Sequence, residues 1–536
     1  KKMKNKFRLI LAGAACLISS MSLAQNPYLP LWEHIPDGEP YVFEDPDKPG
    51  EYRVYIYGSH DSLIKAYCGR EQVVWSASVN DLKNWRYDGV IFEPTVDANG
   101  NKLHEDGLGD VLFAPDVMEY KAADGSKTYY LYPNTQNGGR QGTVAKSSRP
   151  DGPFEICNWN PKNPRETVGD LRFDPAVFQD EDGKVYGYWG FEESNGAELD
   201  PATMATIKPG GKYVRCMISD CKHEGEFRFF EASSIRKIKD KYVFIYSRMT
   251  ANGEFGLPTS NYTLAYAYSD YPLGPFTYGG TIIDGRARGK NANGEDIATA
   301  TPYGNTHGSI CEINGQWYVF YHRQSGTTEY SRQAMVAPIE VSVTEGLGGK
   351  VTISEAEYTS EGFELNGLHP YTAYPAGIAC FYLGKTTATQ DYPNVYYSGS
   401  HFEATYITPD ESTLKEPYKN NDNYNPVVNN NDGSIVGYKY FNMDELDQSK
   451  SNKLMIRMQT TGVKGSIKIM LDSPWESQGG IEIGNIKLGK KMDKPAFVST
   501  SLKMPKVSGK HAIFMVFTSP TPKESLGTMY TIQFSK

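Results

Sequence analysis

Apolar and aromatic residues along this chain come in short runs broken by Gly, Asn and Asp, without the spacing of a helix. The clearest copy opens at Asn305-Thr306-His307-Gly308-Ser309-Ile310, turns, and resumes as Gln316-Trp317-Tyr318-Val319-Phe320-Tyr321-His322. The same strand, turn and aromatic strand recur four times upstream. Tyr41-Val42-Phe43 is answered by Arg53-Val54-Tyr55-Ile56-Tyr57, and Leu112-Phe113-Ala114-Pro115-Asp116-Val117 by Thr128-Tyr129-Tyr130-Leu131-Tyr132. Ala176-Val177-Phe178 is answered by Val185-Tyr186-Gly187-Tyr188-Trp189, and Ala232-Ser233-Ser234 by Tyr242-Val243-Phe244-Ile245-Tyr246. Each copy places a charged or titratable residue just ahead of its first strand: Asp37, Asp116, Asp174, Glu231 and His307. Successive copies lie roughly 55–80 residues apart, near the span of a four-stranded propeller blade. The pattern predicts a five-bladed β-propeller whose innermost strands line a funnel. The repeated phase predicts that those five positions converge on its axis.

From about Gly346 the pattern changes to short strands of alternating polarity, such as Lys453-Leu454-Met455-Ile456-Arg457-Met458 and Ala512-Ile513-Phe514-Met515-Val516-Phe517. Such strands predict a β-sandwich of the jelly-roll kind. The chain is therefore expected to be all-β, with a propeller over residues 25–345 and a separable sandwich over 346–536. The Asn/Asp-rich stretches at 419–423 and 429–433 are expected to be loop. Their oxygen spacing is too irregular for a calcium loop.

Composition narrows the partners. The net charge is −9, and no basic cluster stands out after the N-terminus, which argues against nucleic acid. Residues 1–24 begin with four lysines among the first six residues, continue as an apolar run from Leu9 to Leu23, and end in Ser22-Leu23-Ala24. That is the pattern of a secretory signal peptide and predicts a secreted or periplasmic protein. A lipoprotein signal ending at Cys16 fits less well, because Gly13-Ala14-Ala15 lacks the usual aliphatic residue. No second long apolar run predicts a membrane span. Beyond the leader the cysteines are Cys68, Cys157, Cys216, Cys221, Cys311 and Cys380, without zinc spacing. Cys216 and Cys221 are close enough to pair across a hairpin; free thiols are the other reading.

Four stretches carry a resemblance: Ser-Arg-Gln-Ala-Met-Val-Ala-Pro-Ile from Ser331, Phe-Ala-Pro-Asp-Val from Phe113, Phe-Asp-Pro-Ala-Val-Phe from Phe173, and Thr-His-Gly-Ser from Thr306. Together they resemble family 43 of the glycoside hydrolases over about Asn26 to Val343. The remainder resembles a family 6 carbohydrate-binding module, through Tyr374-Pro375-Ala376-Gly377-Ile378-Ala379-Cys380 and Val436-Gly437-Tyr438-Lys439-Tyr440-Phe441. The first resemblance implies an inverting glycosidase acting on plant polysaccharide. Asp37 would be the general base, Asp174 the residue tuning the acid, and Glu231 the general acid. It also implies a calcium or sodium ion on the axis near His307, and an Arg332 that reaches the pocket. Asp116 would shape the sugar site.

The chemistry is consistent with that assignment. Inversion needs one protonated carboxyl and one ionised carboxylate on opposite faces of the sugar. A third carboxylate beside the acid raises its pKa. One departure stands out: members show Asp-Pro at the base, whereas here the chain reads Asp37-Gly38-Glu39-Pro40. Register from Val42-Phe43 favours Asp37, with Glu39 as the alternative or a substrate neighbour. Trp75 is read either as a stacking platform for sugar or as blade packing. Trp475, Tyr424 and Tyr438 are the sandwich's stacking candidates. The expected activity is removal of α-L-arabinofuranose side chains, ahead of β-1,4-xyloside and β-1,3-galactan cleavage. A carbohydrate-binding protein without turnover is the reading of another class.

Overall fold

The computed structural model describes residues 25–62, 66–218, 221, 223–300, 304–325, 330–384, 406–407 and 425–536. The expected leader, Tyr424 and the 419–423 stretch lie outside the described residues. Those described contain strands and a few single-turn 3-10 helices, with no α-helix.

Five antiparallel sheets follow one another in chain order. Blade one is Glu39–Glu44, Tyr52–Tyr57, Gln72–Ser78 and Asp81–Phe92. Blade two is Asp116–Lys121, Lys127–Tyr132, Ala145–Ser147 and Glu155–Ile156. Blade three is Ala176–Gln179, Val185–Trp189, Asn195–Glu198 and Tyr213–Arg215. Blade four is Phe229–Ile238, Lys241–Arg248, Thr263–Ser269 and Thr277–Asp284. Blade five has Ser309–Ile313, Gln316–Gln324 and Arg332–Ile339. First strands of neighbouring blades touch around the axis. Cys216 and Cys221 form a disulfide with Cα atoms 5.4 Å apart, while Cys68, Cys157, Cys311 and Cys380 are free.

The aromatic second strands show why the sequence is rich in tyrosine. Each is buried between two blades and packs on both sides. Tyr55, Tyr57 and Phe43 meet Tyr129 and Leu131 between blades one and two. Tyr188 meets Phe244 and Tyr246 between blades three and four. A phenol buried in this way needs an acceptor, and Tyr57 donates to the Pro150 carbonyl at 2.7 Å, as Tyr132 does to Met204 at 2.8 Å.

The segment leading into blade one closes the ring. The Tyr28 N–H donates to the Ala334 carbonyl (3.3 Å). The Asn26 carboxamide donates to the Val336 carbonyl (2.6 Å) and accepts from its N–H (3.0 Å). The lead-in thus runs beside the last strand of blade five, on what would be an open edge.

The C-terminal region is a two-sheet sandwich. One sheet runs in the order Phe381–Leu383, Ile435–Asn442, Lys510–Thr518, Gly465–Leu471, Ile481–Leu488. The other is built around Gly527–Ser535, Lys453–Thr460 and Ala496–Ser501. Leu454, Ile456 and Met458 pack with Ile467, Ile469, Met515 and Phe517 between them.

The sandwich, expected from the pattern change to be separable, is packed against the propeller. Its core is continuous with the propeller's, joining Ile310, Tyr321 and Met335 to Tyr358, Ala376, Ile378 and Tyr438. The buried Arg323 of blade five donates to the Ala379 carbonyl (2.8 Å) and to that of Gly377. The hairpin of Val341–Val343 and Val351–Ile353 straddles residue 346 and stays with blade four, where the Tyr266 hydroxyl accepts from the Ile353 N–H (3.0 Å). The sandwich's stacking candidates are also used structurally. Tyr438 is 0% exposed and donates to the Ala376 carbonyl, while the Trp475 indole donates to the Lys290 carbonyl of the propeller.

Ending the chain after residue 345 would strip Arg323 of two acceptors and uncover the shared core. Returning apolar core to water costs about 25 cal/mol for every Å² exposed, against a typical stability of only about 5–15 kcal/mol. The truncated chain is expected to lack a cooperative thermal transition in calorimetry. A sharp transition within a few degrees of the full chain would show the propeller to be self-sufficient.

Candidate active site

Four of the five phased positions fall where the repeat places them. Asp37, Asp174, Glu231 and His307 line one cavity of about 340 Å³ at the mouth of the propeller, together with Arg332. Its walls include Tyr67, Cys68, Phe113, Phe173, Phe230 and Asn305.

Local backbone geometry aims these side chains. Asp37 and Asp174 adopt left-handed conformations (φ 61° and 43°), and Ala232, directly after Glu231, has φ 68°. Such values are uncommon outside glycine and cluster at functional sites. The innermost strand of blade four is also irregular on both sides of Glu231 in its pairing with Lys241–Arg248, and a bulge of this kind re-aims a side chain. Turned in this way, the Ala232 N–H donates to Asp174 at 3.1 Å. The glycine of Thr306-His307-Gly308-Ser309 has its own reason: a Cβ there would collide with the Phe320 carbonyl.

The electrostatics separate the carboxyls. Burial raises the pKa of Asp37, but the Arg332 charge above all, with His307 and the Ser59 hydroxyl, outweighs it, and the carboxylate is held below its ordinary value. Arg332 Nη1 lies 3.1 and 3.2 Å from its two oxygens, and Ser59 donates to it at 2.5 Å. Arg332 is itself fixed by Asp61, through Nε at 2.8 Å and Nη2 at 2.8 Å. His322 has its pKa lowered to about 3, chiefly by burial, and is neutral. Its Nδ1 accepts from the Asp37 N–H (3.2 Å), and its Nε2 donates to the Asn305 carbonyl (2.9 Å). Asp174 is pushed up to about 6 by burial and by Asp37, against the pull of His307, and accepts from Asn134 (2.9 Å). Glu231 is raised well above the ordinary glutamate range, first by burial and then by Asp174.

Three expected substrate contacts are corrected. Asp116 is 0% exposed and its oxygens are spent inside the fold, accepting from Tyr41 (2.6 Å), Val117 (2.8 Å) and the Val177 N–H of blade three (2.7 Å). Glu39 does not line the cavity. It is buried on the axis, accepting from Arg236 at 2.9 Å and from Ser234 at 3.1 Å. Trp75 is blade packing: 5% exposed, it donates to Glu33 at 2.8 Å and packs against Trp32 and Tyr87. The sequence shows Asp116 and Glu39 at strand starts and Trp75 in mid-strand, but not which way each side chain is turned or how deep it lies. Ser59, Asp61, His322, Asn134 and Asn305 were missed. Asp61 follows the second strand of blade one, which ends at Tyr57, and His322 lies within that of blade five, positions that the phase of the first strands does not mark.

The sequence profile described as glycosyl hydrolases family 43 matches residues 43–344. The chain belongs to this family. A xylosidase/arabinosidase of Thermoclostridium stercorarium is 33% identical over 92% of this chain and 95% of its own length. An arabinoxylan arabinofuranohydrolase of Paenibacillus polymyxa is 26% identical over 92% of this chain and 70% of its own. Among solved structures, a family 43 β-xylosidase/α-arabinofuranosidase from a compost microbial metagenome, in complex with xylotriose and in a calcium-free form, matches with a TM-score of 0.41. It is 25% identical, over 60% of this chain and 96% of that one. The protein is thus a glycosidase that hydrolyses glycosidic bonds.

Whether this family 43 chain can hold an axial ion is answered by two buried atoms that lack a hydrogen-bond partner, His307 Nε2 and Glu39 Oε1, 3.8 Å apart. They fit as the protein ligands of a calcium or sodium ion that keeps water for most of its shell. A proton on the same imidazole serves the same charges. Burial opposes it, yet Glu39, Asp174 and Asp37 raise the His307 pKa to about 9.

Asp116→Asn and Glu39→Gln separate structural from substrate-binding roles. Each breaks charge-assisted hydrogen bonds worth about 1.5–3 kcal/mol apiece. Both variants are expected to lower the unfolding free energy by about 2 kcal/mol or more while leaving KM within about twofold. A raised KM at unchanged stability would return them to the sugar site.

Proposed function

We propose that the chain is an inverting, side-chain-releasing pentosidase, with α-L-arabinofuranose on arabinoxylan as its sugar. The observation that carries this reading is the convergence of Asp37, Asp174 and Glu231 on one pocket with Asp37 and Glu231 pushed in opposite directions. Two titratable groups driven apart by their surroundings mark a base and an acid. The pocket volume lies near the bottom of the range for ligand sites, about 300–1,000 Å³, which suits one pentose. The names of the relatives, xylosidase/arabinosidase and arabinoxylan arabinofuranohydrolase, support the sugar class. The leader-like residues 1–24 support export.

In this reading Asp37, ionised and clamped by Arg332, takes a proton from water as that water attacks the anomeric carbon. Glu231 gives its proton to the departing oxygen as the glycosidic bond breaks, and the product leaves with inverted configuration. Asp174 keeps Glu231 protonated by resisting a second negative charge beside its own. A cation on His307 and Glu39, when bound, adds positive charge beneath these carboxylates.

Activity requires Asp37 without its proton and Glu231 with one. It therefore rises with pH through the depressed pKa of Asp37 and falls through the raised pKa of Glu231. The kcat/KM profile is expected to be a bell whose acid limb lies below the ordinary aspartate value, about 3.9, and whose alkaline limb lies above the ordinary glutamate value, about 4.3. Glu231→Gln should remove the alkaline limb and cost about 10²–10⁴-fold on arabinoxylan oligosaccharide. It should cost less on nitrophenyl arabinofuranoside, whose leaving group needs little protonation. Asp37→Asn should impair both substrates alike. Proton NMR of the first product shows the anomer; a retained anomer rejects the mechanism, and release of glucose or fructose alone rejects the pentosidase reading.

Elemental analysis of protein purified without chelator checks the ion. About one equivalent of calcium or sodium is expected in the parent and none in His307→Ala. Parent protein free of both ions would leave the imidazolium as the axial charge.

A further inference from the structure

We infer that the leaving-group side of the substrate rests on an aromatic step at the rim between blades three and four, with Phe191 as its exposed ring. This rests on the pentosidase reading and extends it, assigning a place to the pyranose backbone from which the pentose is removed.

Phe173 and Phe230 line the pocket and immediately precede Asp174 and Glu231 in the chain. Phe191 stands between them, 5.1 Å from each ring centroid. It is 47% exposed, among the most open of the large apolar side chains. Its position is fixed by the backbone: the Gly190 N–H donates to the Phe173 carbonyl (2.9 Å), and the Glu192 N–H donates to the Phe230 carbonyl (2.6 Å). The turn after Val185–Trp189 is thus fastened to both pocket walls, and Phe191 is held out rather than tucked in.

A lone exposed ring would mean little, but Phe191 in contact with the partly exposed Phe173 and Phe230 makes a contiguous apolar patch at the pocket rim, the kind of surface that marks a binding site. The location specifies the occupant. The general acid must touch the glycosidic oxygen, so the leaving group lies on the Glu231 side of the pocket, the side where Phe230 and Phe191 form the rim. The apolar C–H face of a β-1,4-linked xylopyranose suits an aromatic surface, while its hydroxyls stay in water. A small aryl glycoside ends near the pocket mouth, whereas an oligosaccharide continues over the step. Phe191 is therefore a determinant of chain recognition and takes no part in bond cleavage.

The test compares Phe191→Ala with Phe191→Trp in the full chain. Losing a half-exposed ring is expected to raise KM on arabinoxylan oligosaccharide about tenfold, with kcat kept. KM on nitrophenyl arabinofuranoside should change less than about twofold, and Phe191→Trp should restore oligosaccharide KM. Binding is read separately, by calorimetry of β-1,4-xylotetraose on Glu231→Gln with and without Phe191→Ala, where about tenfold weakening is expected. Equal oligosaccharide KM and equal xylotetraose affinity in the presence and absence of Phe191 overturn the inference. Failure of the parent to release any pentose overturns the pentosidase reading instead, and the calorimetry still decides whether the step holds a xylan chain.

Discussion

Arg236 of blade four lies buried against the inner edge of blade one, donating to Glu39, to the Pro40 carbonyl (3.0 Å) and to the Tyr41 hydroxyl (3.2 Å), and to the Ile310 carbonyl of blade five (3.1 Å). Tyr41 passes the connection to Asp116 of blade two, and Asp116 passes it to Val177 of blade three. Five sheets are thereby joined at their inner strands by one hydrogen-bonded chain of polar groups. In a low-dielectric interior such a network is stable only when nearly every member has its partner. That requirement fixes the register between blades, and the register fixes where the next layer up, Asp37, Asp174, Glu231 and His307, can point.

The pocket above this plug concentrates negative charge in a small, partly dry volume. Arg332 stands against Asp37 and Asp61, and His307 against Glu39 and Asp174. Glu231 is left without a cation of its own. Its pKa is raised first by burial and then by the charge of Asp174, and His307 and Arg332 only partly offset this, so the carboxyl holds a proton. Acid and base are separated by which carboxyl owns the arginine.

Propeller and sandwich share a core because blade five needs cover on two sides. The N-terminal lead-in shields its outer strand, and the sandwich takes the carbons and carbonyl acceptors that Tyr321, Arg323 and Met335 require. The sandwich braces the blade that carries His307, His322 and Arg332, and so bears on pocket geometry from a distance.

By itself the sequence determined the parts that local periodicity encodes. The alternation of strand and turn, repeated five times, specified an all-β ring, and the common phase of Asp37, Asp174, Glu231 and His307 placed them at its mouth, because a strand start can lie on only one rim of a blade. Depth and partnership were decided only by tertiary structure. Asp116 and Glu39 have the same local signature as Asp37, yet they are drawn into the axial network by Tyr41 and Arg236, residues of other strands. Trp75 turned inward because Glu33, forty-odd positions earlier in the chain, offered its indole an acceptor. The unity of propeller and sandwich was hidden for the same reason: a change of pattern near Gly346 marks a change of architecture, whereas a shared core is made by contacts between residues that no local pattern connects.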